Sequence, residues 1–86
     1  MFAGEDETVT LICEDALTGV MIDRFGKEVD SVPADAGEAR VHAVVMKSPA
    51  FFGWLAQFGS RVRVEKPTWL AHEYRDYLAD IVTAYE

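Results

Sequence analysis

Three stretches of this chain roughly alternate apolar with charged or hydroxyl residues at a period of two: Thr8 to Cys13, Glu38 to Met46, and Arg61-Val62-Arg63-Val64-Glu65. Only an extended strand sends successive side chains to opposite faces, so each stretch predicts a β-strand with one buried face. Val9, Leu11, Val41, Ala43, Val45, Val62 and Val64 form the side to be buried. Their neighbours Thr8, Thr10, Ile12, Arg40, His42, Val44, Met46, Arg61 and Arg63 then point the other way. At 86 residues with 50% hydrophobic content, the chain can bury one thin core, and that core must lie under one side of the sheet.

The segments between the strands follow a helical period. Glu14 and Asp15 open the first, where carboxylates complement the amide dipoles, and Leu17, Val20, Met21 and Phe25 continue it to Gly26. Glu28 to Pro33 is predicted as a short strand that proline confines to an edge, and Ala34-Asp35-Ala36-Gly37 as a turn. Ser48-Pro49 carries the hydroxyl cap and first-turn proline of a helix. That helix includes Phe51, Phe52, Trp54, Leu55 and Phe58 and ends at Gly59. Pro67-Thr68 opens a last helix with Leu70, Tyr74, Tyr77, Leu78, Ile81 and Tyr85. The order strand, helix, strand, strand, helix, strand matches an α+β, ferredoxin-like βαββαβ plan: an antiparallel sheet with helices on one face, plus a C-terminal helix. In that plan the first strand lies between the third and the fourth.

From Ser48-Pro49 through the aromatic helix, Phe58-Gly59, the valines Val62 and Val64, and Pro67 to Tyr85, the chain resembles the C-terminal extension of WYL-domain bacterial transcription regulators, the WCX domain. Thr10-Leu11-Ile12, Arg24-Phe25-Gly26 and Arg40-Val41-His42-Ala43 agree, so the resemblance runs from Thr8 to Tyr85. It implies a parent in which a winged helix-turn-helix binds DNA, a WYL domain of Sm-like form senses a ligand, and this extension follows. On that reading Met1 is an added start, residues 1–7 are an acidic linker remnant, and residues 8–86 form one domain. The resemblance further implies docking on the WYL domain of the same or a twin chain, a homodimer in the full-length protein, and help in completing an effector site. It implies no direct operator contact by this fragment.

Two sets of residues are candidates for function. Arg40, His42, Arg61 and Arg63 flank Thr10 on the outward sheet face, where guanidinium forks suit an anionic effector or an oligonucleotide. The bland reading is a solvated face whose arginines pair with Glu38 or Glu65 across strands. No aromatic residue falls on this face, which disfavours base stacking. The second set is the apolar excess and the expected partner interface: Phe52 and Ile22 lie off the core stripes and Trp69 at a helix start, while Tyr77 shares with Leu70, Tyr74 and Ile81 a stripe able to pack on a neighbour. Core packing, with the last helix shielding Phe52, is the rival reading of each.

Catalysis is not expected. His72-Glu73 lacks the second metalloprotease histidine, since Asp76 stands there. No nucleophile set, paired-carboxylate cleft or glycine-rich phosphate loop occurs, and no metal or cofactor is expected. An enzyme-subunit or ACT-like sensor role would rest on fold analogy alone. The single cysteine, Cys13, reads as a small core residue in a reducing cytoplasm. A net charge of −7 argues against a nucleic-acid-coating module. No apolar run is long enough to cross a membrane, and the first residues lack signal-peptide character.

Overall fold

The computed structural model describes residues 6–26 and 29–86. Strand β1 (Asp6–Glu14) leads through a single 3-10 turn (Asp15–Leu17) into helix α1 (Thr18–Phe25). Strands β2 (Asp30–Pro33) and β3 (Glu38–Met46) form a hairpin, followed by helix α2 (Pro49–Ala56). A second 3-10 turn (Gly59–Arg61), strand β4 (Val62–Lys66) and helix α3 (Thr68–Ala84) complete the chain. The result is α+β: one four-stranded sheet of order β2-β3-β1-β4, antiparallel at every neighbouring pair, with three helices including a C-terminal one. As expected, β1 lies between β3 and β4, and the strand with Pro33 is at an edge.

The local signals act as their chemistry requires. Ser48 Oγ accepts the Phe51 amide at 3.1 Å, with Pro49 in the first turn of α2. At the end of α1, Gly26 takes φ 92° and its N–H bonds Ile22 O at 2.8 Å. Such a φ is open to glycine because it has no Cβ. In the hairpin the Glu38 amide donates to Asp35 O at 2.9 Å and Gly37 sits at φ 79°.

The predicted burial parity holds. Val9, Leu11, Cys13, Val41, Ala43, Val45 and Val62 are buried on one side of the sheet, and Val64 packs against them. Leu17 and Met21 from the α1 region, Phe51, Phe52 and Leu55 from α2, and Leu70 and Tyr74 from α3 close the core. Burial pushes the Cys13 thiol pKa up, with Asp15 and Glu38 adding to it against a hydrogen bond to Thr18 that lowers it, so this thiol is held protonated.

Several boundaries depart from the sequence pattern. Asp6 and Glu7, expected in the acidic linker remnant, belong to β1, where they stand opposite Met46 and Val45. Backbone pairing with the nine-residue β3 carries the strand past the end of the alternation. Helix α2 stops at Ala56, before Phe58 and Gly59, and Arg61 lies in the 3-10 turn rather than in β4. In α1 the Val20 side of the stripe faces solvent, so Leu17 and Met21 carry its burial. Glu28, expected to begin β2, lies outside the described residues.

Candidate functional site

Strand registers lay the outward side chains out in rows. One row runs Asp30, His42, Thr10, Lys66 from β2 to β4, and the next runs Val32, Arg40, Ile12, Arg63. Beyond them Glu14 stands opposite Glu38. Two carboxylates in such a cross-strand pair repel one another, and each takes an arginine from the β4 side. Arg61 Nε meets Glu14 Oε1 at 3.0 Å, and Arg63 reaches across β1 to Glu38 at 3.3 Å. Arg40 and Glu65 also bridge over β1, through two hydrogen bonds of 2.8 and 3.1 Å. His42 Nδ1 lies 3.6 Å from Asp30.

Each of the three arginines expected to form an open basic face is therefore matched by a glutamate. The guanidinium groups remain outside the helical layer, but they are not bare. The spans of Arg40 and Arg63 across β1 also explain an unexpected burial. Thr10 and Ile12 point away from the core, yet they are only 8% and 6% exposed. The strand they occupy is flanked on both sides, and charged side chains with long apolar stems arch over it.

The structure brings together Thr10, Arg40 and His42 around a hollow that also includes Glu65 and Lys66. Arg61 and Arg63 are not part of it; they lie toward Glu14 and Glu38. Lys66 is the member sequence reasoning missed. Strict alternation from Val62 and Val64 would send it under the helices, but a register shift between Thr10 and Leu11 places it opposite Thr10. A β-bulge leaves one residue unpaired and reverses the parity beyond it. No pattern in Arg-Val-Arg-Val-Glu-Lys announces that break.

The Arg40 hydrogen bonds, ahead of charge effects, hold the Glu65 carboxyl below its ordinary range. A carboxylate with a depressed folded-state pKa contributes stability above its unfolded value. That contribution is lost as pH falls through the folded value. The urea midpoint is accordingly expected to decline below about pH 4.5, and Glu65→Gln to flatten part of that decline. Identical acid profiles for the two chains would contradict the bridge.

The family model for the WCX domain matches residues 5–82. The chain belongs to the WCX domain family. No match was found among curated proteins or solved structures.

The apolar candidates of this WCX domain divide into two groups. Phe52, expected at the surface, is buried. Helix α3 crosses it, and its ring lies 5.3 Å from those of both Tyr74 and Tyr77. Tyr77 is half-buried in the same cluster, so both residues fasten α3 to α2. Ile22 and Trp69 are exposed as expected, the latter with Lys47 Nζ 5.5 Å from its ring. Val44 and Met46 are further apolar exposures, both on the outer face. Ile81 in α3 and Tyr85 at its C-terminal cap are exposed as well.

His72 is exposed on α3, and its neighbour Glu73 pairs with Lys47 at 3.0 Å. Among the described residues no group of three or more histidine, cysteine or acidic side chains could hold a metal ion. No helix among them is long and apolar enough to cross a membrane.

Proposed function

We propose that this WCX domain is the C-terminal regulatory and assembly unit of a WYL-type helix-turn-helix transcription regulator of the bacterial cytoplasm. It couples docking and effector response to a DNA-binding module carried elsewhere in the protein. The sheet order β2-β3-β1-β4 and its antiparallel pairing support reading the fold as the ferredoxin-like βαββαβ plan with α3 added.

The observation that carries this reading is the pairing of Arg40, Arg61 and Arg63 with Glu65, Glu14 and Glu38, beside exposed Val44 and Met46. A polyanion laid on this face would have to displace three carboxylates and would meet their charge. A protein surface with its own matched charges and apolar groups has no such cost. The domain docks on a WYL barrel or on its twin, and an effector alters which docking is preferred. The effector can shift that balance only by its difference in affinity for the two states. The reading frame upstream of residue 2 is expected to encode a helix-turn-helix and a WYL segment; a frame with neither overturns the regulatory reading.

A second reading is favoured by the hollow at Thr10, Arg40, His42 and Lys66: a site for an anionic ligand or single-stranded nucleic acid on the arginine-bearing face, with Arg61 and Arg63 at its far end. Titration with a fluorescein-labelled oligonucleotide at two salt concentrations separates the readings. Assembly predicts no saturable binding. Binding that weakens with salt and is lost in Lys66→Ala and in Arg61→Ala/Arg63→Ala establishes the second.

A further inference from the structure

Ala71, Tyr74, Arg75 and Leu78 follow one another at helical spacing, which puts them on one side of α3. With Val62 and Val64 of β4 they line a groove of ≈ 210 Å³ between the helix and the strand. Val62 and Tyr74 are buried, whereas Val64, Ala71 and Leu78 are half-buried and leave apolar surface open to solvent. A cavity of about 150 Å³ is enough to hold benzene, so this groove has room for one six-membered ring with a short substituent.

The charges beside the groove have one sign. No carboxylate lines it, in a chain whose net charge is −7. Its charged lining residues are Arg63 and Arg75. Arg63 is committed to Glu38 across β1. Among the described residues Arg75 has only Asp76 within reach, at 3.8 Å, and the two side chains are 73% and 75% exposed. Asp76 is the next residue on the helix, turned about 100° from Arg75, and an exposed pair of that kind is weak. Tyr74 adds a second donor. The residue is only 8% exposed, and its hydroxyl has no hydrogen-bond partner among the described residues. No enclosed side-chain polar atom among them lacks a partner, so this oxygen is open to an incoming group. Burial, with Tyr77 adding to it, pushes the Tyr74 phenol pKa up, which keeps the hydroxyl a donor at neutral pH.

We propose that the groove between β4 and α3 binds a small aryl carboxylate, with its ring against Val62, Val64 and Leu78 and its carboxylate held by Arg75 and the Tyr74 hydroxyl. Apolar walls with a few convergent polar groups are the usual form of a small-molecule site, and guanidinium donors suit a carboxylate. The site lies on the helical side of the sheet, away from the hollow at Thr10 and Lys66. It belongs to this domain alone and does not rest on the regulatory reading.

Titration of the 86-residue chain with phenylacetate, followed by amide NMR shifts, is the test. Saturable shifts are expected at Val62, Val64, Ala71 and Leu78, with a Kd of about 0.3–5 mM for a ligand of about ten heavy atoms. Acetate lacks the ring and phenylacetamide lacks the charge; each is expected to bind at least about fivefold more weakly. Arg75→Gln is expected to weaken phenylacetate roughly three- to tenfold and to leave phenylacetamide unchanged, a split that a loss of packing would not produce. Tyr74→Phe keeps the ring in the core and is expected to weaken phenylacetate by about threefold. Circular dichroism checks that both variants are folded. No saturation up to about 20 mM overturns the proposal, as do shifts confined to Thr10, Arg40 and Lys66 on the outer face. Amide binding as tight as acid binding, or an affinity unchanged in either folded variant, overturns it as well. All of these outcomes leave the WYL reading standing, since the upstream frame decides that separately.

Discussion

Phe52→Ala is expected to cost the domain about 3–5 kcal/mol, the range for removing a buried aromatic ring. The ring is 8% exposed and touches Phe51, Tyr74 and Tyr77, so its loss opens a gap between α2 and α3 that backbone-anchored neighbours can only partly close. Domains of this size are stable by only about 5–15 kcal/mol, so the thermal midpoint should fall by roughly 12 °C or more. Trp69→Ala is the comparison. Its ring is 47% exposed and its specific contact is with Lys47, so about 1 kcal/mol is expected. Urea unfolding followed by circular dichroism reads both. Equal small losses would mean that α3 is not held by Phe52, and the ring would return to the candidate partner surface.

Ile12→Ala is expected to destabilise by about 2 kcal/mol, the lower end of the range for a buried aliphatic truncation. The side chain points away from the helices but is enclosed by the Arg40–Glu65 and Arg63–Glu38 bridges that span β1. Flexible arginine stems can settle into part of the vacated space, which keeps the loss below that of a rigid core site. Val44, on the same face and 60% exposed, serves as the control: Val44→Ala should change the stability measured by urea unfolding by less than about 0.5 kcal/mol. If Ile12→Ala is equally silent, the bridges do not enclose the residue, and the outer face is open as plain alternation predicts.

Most of the framework was legible along the chain because its signals are local. Period-two burial at Val9, Leu11, Val41, Ala43 and Val45 follows from strand geometry alone. The Ser48-Pro49 start, the Gly26 end and the Pro33 edge each follow from the chemistry of one or two residues. The errors fall where a distant element decides. Asp6 and Glu7 have no strand pattern of their own and are ordered by β3. Phe52 occupies the wrong helical phase for a core residue until α3 crosses it. Lys66 changes face because a bulge intervenes between β1 and β4.

The candidate site divides in the same way. Which side chains share the outward face was set by alternation, so Thr10, Arg40, His42 and Arg63 were placed together from their positions in the sequence. Whether those cations are free was not, because an ion pair such as Arg40–Glu65 joins residues 25 apart in sequence. The amino-acid order by itself determined the strands, the helices and the two faces of the sheet, since these depend on neighbours a few residues away. Only the tertiary structure decided that the arginines are matched by carboxylates, that Ile12 is enclosed and that Lys66 joins the outer face. Each of those depends on strand register, and register depends on how the whole sheet closes over its one core.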